Sequence, residues 1–150
     1  MRRRPLAVAV AALLTSAGLA GGCGGADRPP DAGVQEACAE YTRLLNQWSV
    51  AYGAEMGAVG QAVAVGDERR QETAVPVVRE LFLTTADDLR AQAGRTADQE
   101  LADSLTEAAE GLVEIAEQIE TYDDVTGAPE LMSSGRFATG GERVSEICAP

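Results

Sequence analysis

TADQELADSLTEAAEGLVEIAEQIETY, residues 96–122, is the stretch that decides the fold. Within it Leu101, Leu105, Ala108, Leu112, Ile115, Ile119 and Tyr122 recur at alternating steps of four and three residues. That spacing lays one apolar stripe along an α-helix. Thr96-Ala97-Asp98-Gln99 in front of it reads as a capping box of the Thr-x-x-Gln type, with Asp98 and Glu100 where the helix dipole favours acids. The opposite side carries Glu107, Glu110, Glu114, Glu117 and Glu120, which reads as a solvated face.

Working toward the N-terminus, Ala74, Val78, Leu81, Thr85, Leu89 and Gln92 or Ala93 form a second helical stripe, closed by Gly94. Pro76 interrupts it: proline gives no amide proton and clashes with the carbonyl of Glu72. A kink or a fresh start at Val75-Pro76 is expected. Gly66-Asp67 reads as a turn and cap before this helix. Further back, Val34, Cys38, Tyr41, Leu45, Trp48 and Tyr52 make a third stripe, which Val59 and Val63 extend toward Val65. Gly53, Gly57 and Gly60 each cost ~1 kcal/mol relative to alanine in a helix interior, so a bend near Gly53 is expected. Gly53-x-x-x-Gly57 matches a membrane helix-packing pattern, but Glu55 lies inside it and no long apolar run surrounds it; close packing of two soluble helices fits better.

Beyond Tyr122, Asp123-Asp124-Val125-Thr126-Gly127-Ala128-Pro129 reads as a loop by composition. One short turn at Pro129-Glu130-Leu131-Met132 and a break at Ser133-Ser134-Gly135 follow. A last short helix is expected from Gly140 or Gly141 to Cys148, with Val144, Ile147 and Cys148 on one side. No useful β-alternation occurs. The expected fold is therefore all-α, an antiparallel bundle of three main helices plus a short C-terminal helix folded across the first. Residues 34–150 form this bundle, 23–33 a flexible Gly/Pro-rich tether containing Pro29 and Pro30, and 1–22 a cleaved signal segment.

The signal reading rests on Arg2, Arg3 and Arg4, an apolar run from Leu6 to Leu14, and small residues leading to Cys23. Pro5 to Ala20 is 16 residues, short of the ~20 that span a bilayer. Leu19-Ala20-Gly21-Gly22-Cys23 resembles the lipobox of bacterial lipoproteins, with Ala20 where that family prefers Leu. The resemblance implies acylation of Cys23, which becomes the mature N-terminus and anchors the protein to the cell membrane from the extracytoplasmic side. The alternative is simple secretion, since Gly18 with Ala20, or Ala20 with Gly22, suits a general signal peptidase.

Cleavage removes 3 of the 12 arginines and none of the 24 acidic residues, shifting the formal charge from −12 to −15. Such a domain repels phosphate backbones and anionic headgroups, so neither nucleic acid nor an electrostatically bound membrane is an expected partner. Attachment then falls to acyl chains at ~0.8 kcal/mol per buried CH₂. The absence of Lys and the abundance of Ala, Gly and Arg resemble, in composition only, envelope proteins of GC-rich actinobacteria. With Cys23 consumed by lipid, Cys38 and Cys148 have one pairing open to them in an oxidising compartment. A bridge closing a loop of about 110 residues carries a chain-entropy value near 4–5 kcal/mol.

Chemistry-bearing motifs are scarce. The chain has no histidine, which removes the commonest general base and metal ligand. No phosphate-cradling glycine motif occurs, and three cysteines cannot furnish a thiolate zinc site once Cys23 is acylated. Asp87-Asp88 and Asp123-Asp124 lack the spacing of a calcium loop. Trp48, with Tyr41 and Tyr52 on its stripe, reads as core. The expectation is no enzyme, no metal and no cofactor, but a lipid-anchored envelope protein whose helices engage a partner protein. The alternative is a secreted helical protein holding a small ligand in an apolar cavity near Trp48.

Overall fold

A computed structural model describes residues 32–149. Its elements are α1 (Ala32–Val65), α2 (Glu68–Ala93), α3 (Gln99–Gln118), α4 (Tyr122–Met132) and α5 (Gly135–Ile147). The fold is an all-α bundle, and no strand occurs among the described residues.

α3 is the central element. It packs along α2 on one side and α5 on the other, while α1 packs along α2. Leu101, Leu105, Ala108, Leu112, Ile115 and Ile119 of the 96–122 stripe are all buried, joined by Ala109 and Ala116. Phe82, Leu89 and Val78 of α2, Val125 of α4 and Val144 of α5 complete the solvent-excluded centre. The α3–α5 seam is close because two glycines line it. A Cβ on Gly111 would fall 2.7 Å from Phe137 Cα, and one on Gly140 would fall 2.5 Å from Ala108 N.

Several local expectations are corrected. The cap of α3 is Asp98, whose carboxylate accepts from Leu101 N at 2.8 Å; Thr96 lies outside the helix. α2 makes no fresh start at Pro76: the helix runs through it, with Pro76 and Glu72 both facing solvent, where water can take the freed carbonyl. α1 is one helix of 34 residues, about 50 Å long at ~1.5 Å per residue, and continues past Gly53, Gly57 and Gly60. It stops at Gly66, whose φ of 70° suits glycine, and Asp67 then caps α2 by accepting from Arg70 N at 3.1 Å.

The segment read as a loop after Tyr122 is the helix α4. Thr121 is its cap in a reciprocal capping box with Asp124, and Val125 and Ala128 supply a buried edge. Pro129 sits in its last turn on the exposed side. α5 begins at Gly135, earlier than the expected Gly140 or Gly141, because Phe137 and Gly140 already pack on α3. Its main neighbour is α3 rather than α1.

Candidate functional site

Cys23, the expected lipidation residue, lies outside the described residues, as do the signal segment and nearly all of the tether. Cys38 and Cys148 do not. They form a disulfide with α-carbons 5.6 Å apart, joining the second turn of α1 to the C-cap of α5. α1 and α5 thus meet covalently at one end of the bundle.

Further along the same pair of helices the aromatic residues gather. Trp48 stacks on Tyr52 with ring centroids 5.2 Å apart and planes 11° from parallel. Phe82 of α2 lies 5.9 Å from each of them, and Phe137 of α5 lies 6.4 Å from Trp48. Trp48 and Tyr52 pack on the core cluster without being fully enclosed. Trp48 Nε1 and the Tyr52 hydroxyl are shielded from solvent and find no hydrogen-bond partner among the described residues. Burial raises the Tyr52 hydroxyl's pKa above its ordinary value and does the same for Tyr41.

Trp48, Tyr41 and Tyr52 share one helical stripe in the sequence, whereas Phe82 and Phe137 reach the cluster from α2 and α5. Phe82 was legible: with Val78, Thr85 and Leu89 it keeps the four-three-four spacing that the choice of Leu81 obscured. Leu81 is only half-buried whereas Phe82 is wholly buried. Phe137 precedes the expected start of the last helix, so no stripe pointed to it.

The space nearest the aromatics is a shallow groove of about 460 Å³ between α1 and α5, with Tyr41, Leu45, Phe137 and Ala138 as its floor and Glu142 and Glu146 at its edge. A larger cleft, about 800 Å³, opens where α1 passes the α2–α3 connection, lined by Glu36, Glu40, Arg43, Gln92 and Arg95 among others. Two of its charges pair with each other. Arg43 donates to both oxygens of Glu40 and to Gln47, and this hydrogen bonding lowers the pKa of Glu40 and raises that of Arg43.

The acidic face of α3, expected to be only solvated, also pairs with α5. Arg136 of α5 pairs with Glu110 and, at 3.2 Å, with Glu114, while Arg143 reaches Glu107 at 2.7 Å. These exposed pairs are screened by solvent and add little to stability. They set α5 along α3. Asp87 pairs with Arg90, and Asp124 is held by its capping box. Among the described residues no cluster of three or more acidic or cysteine side chains is placed to hold a metal ion. No described helix is long and apolar enough to cross a membrane.

No protein-family model matches the chain, and neither the curated proteins nor the solved structures contain a match to it.

Proposed function

We propose that the chain is a lipid-anchored protein of the bacterial cell envelope, held to the membrane through acylated Cys23, with residues 34–150 as an interaction or scaffolding module. One observation carries this reading. Cys38 is bonded to Cys148, which sets Cys23 apart from the other two cysteines of the sequence, at the end of a lipobox-like run. A bridge of this kind also belongs to oxidising compartments, in keeping with export. Glu142 and Glu146 edge the groove and the Arg43–Glu40 pair lines the cleft, polar surface that suits a module that meets other proteins.

The test compares wild type with Cys23→Ser in bacterial cells fed a labelled fatty acid. Label and membrane retention in wild type, both absent in Cys23→Ser, are expected. A normally processed, unlabelled wild type would sink the anchor and favour secretion.

A second reading, a small ligand held near Trp48, draws on the unpartnered Trp48 Nε1 and Tyr52 hydroxyl. It predicts a small molecule that copurifies with the protein from its native envelope and quenches or shifts Trp48 fluorescence. Protein free of such a molecule, with unchanged emission after extraction, argues against it.

A further inference from the structure

α5 divides its charges between two neighbours. Arg136 and Arg143 turn toward α3 and pair there with Glu110, Glu114 and Glu107. Glu142 and Glu146 lie at the edge of the groove between α5 and α1. They stand one helical turn apart, with ~5–6 Å between their Cβ atoms. Neither has a cationic partner among the described residues. α1 supplies none, because its one arginine, Arg43, is held by Glu40 and Gln47.

Unpaired surface carboxylates are by themselves ordinary solvated groups. The groove floor adds an independent feature. Tyr41 is only 7% exposed, yet its hydroxyl makes no hydrogen bond with any described residue. Unlike the hydroxyl of Tyr52, it is not sealed off from solvent. It lies in the groove beside Gly141, where a Cβ would stand 3.4 Å from it, so glycine leaves it room for a partner. The other hydroxyl of the groove, on Ser145, already donates to the Gly141 carbonyl at 2.8 Å. Leu45, Phe137 and Ala138, all half-buried, complete an apolar floor. A nearly buried hydroxyl with unused bonding capacity thus lies beneath two unpaired carboxylates and beside an aromatic ring.

We propose that this groove docks a partner protein through an arginine-bearing apolar segment, whose guanidinium reaches Glu142 and Glu146 while its apolar side chains lie on Leu45, Phe137 and Ala138. The Tyr41 hydroxyl, neutral in its buried setting, donates to a backbone carbonyl of the segment. Charge selects the occupant: the acidic rim attracts a cation and repels both a carboxylate ligand and a second copy of this chain, whose net charge is −12. Arginine suits the rim better than lysine, because its planar head stacks on an aromatic ring and forks to carboxylates. Shape favours a protein segment over a small amine. The groove is shallow and follows α5 from Phe137 to Glu146, ~14 Å of helix, without enclosing a ligand as small-molecule pockets do.

This docking rests on the reading of the bundle as an interaction module, and it is independent of the anchor. The probe is a fluorescein-labelled peptide of alternating leucine, arginine and alanine, titrated at low salt with the purified full-length chain and read by anisotropy. The chain sits in phosphatidylcholine nanodiscs where it carries lipid and is free in buffer where it does not, with empty discs subtracted. Saturable binding is expected. Glu142→Gln with Glu146→Gln should weaken it about tenfold and Tyr41→Phe about threefold, each with unchanged melting temperature. Glu117→Gln with Glu120→Gln, the same charge change on α3, should leave it within about twofold. Citrulline in place of arginine in the peptide should abolish it. Failure of wild type to bind at about 1 mM peptide overturns the proposal. Equal binding by all the variants also overturns it, while leaving an interaction module that uses another surface. Displacement of the peptide by spermidine at equal concentration overturns it in favour of a small amine.

Discussion

Replacing Gly111 by alanine should destabilise this protein, although the same change in a free helix stabilises it. Helix propensity alone favours Gly→Ala by ~1 kcal/mol. At Gly111, however, the new methyl would lie 2.7 Å from Phe137 Cα and 2.8 Å from Arg136 C, about 0.7 Å inside ordinary contact at the α-carbon. The obstructing atoms are backbone, so no side chain can rotate out of the way. α5 must withdraw, loosening Val144, which is fully buried, and stretching the Arg136 and Arg143 ion pairs. Overpacking of this kind costs ~1–3 kcal/mol and sometimes more. With rigid neighbours the upper end applies, for a net loss of ~2 kcal/mol. At roughly 3–6 °C per kcal/mol for a domain of this size, Tm falls by ~6–12 °C. Gly140→Ala, whose methyl would meet Ala108 N at 2.5 Å, should behave alike. Gly127→Ala in α4, with nothing within 4 Å, is the control and should gain ~0.5–1 kcal/mol. Urea and thermal unfolding followed by far-UV circular dichroism read all three. If Gly111→Ala were as stable as wild type, the close α3–α5 seam would be wrong.

Three further outcomes are expected. Cys38→Ser with Cys148→Ser lowers unfolding free energy by ~2–5 kcal/mol, read from the urea midpoint; an unchanged midpoint would show that the bridge adds nothing. Tyr52→Phe keeps the stack on Trp48 but removes a shielded hydroxyl without a partner, so stability should hold or rise by ~1 kcal/mol; a loss above that would mean the hydroxyl is satisfied. Hydrogen bonds from Thr121 and Glu120 hold the Asp124 carboxyl below the usual Asp range. With the folded pKa below the unfolded one, this stabilisation is full above the ordinary Asp pKa of ~3.9 and is lost as pH falls through the folded value. Helicity of α4 therefore declines in acid, and Asp124→Asn should flatten that part of the titration; an unaltered acid curve for the variant counts against the capping box.

The parts of the fold legible from sequence were those with long periodicity. The stripe from Leu101 to Ile119 needed nothing beyond four-three spacing, and Asp67 after Gly66 announced the first turn. α4 was missed because Gly127 and Pro129 weigh heavily in a composition reading, while the signal that mattered, Thr121 three residues before Asp124, is local and small. Whether Pro76 ends α2 or is carried through depends on which side of the helix faces solvent, a tertiary fact. The Cys38–Cys148 pairing followed from counting once Cys23 was set aside, and the structure joins the two. Phe137 and the arginines facing the α3 glutamates could not be read off, since their partners lie 22 or more residues away in the chain.

The bridge also changes what a protease can do to this molecule. All four interhelical turns lie between Cys38 and Cys148, including exposed Gly66-Asp67. A single nick in any of them opens a ring instead of releasing a fragment. Both pieces stay covalently joined, the cut is invisible on a non-reducing gel, and the severed helices remain close enough to re-form the bundle.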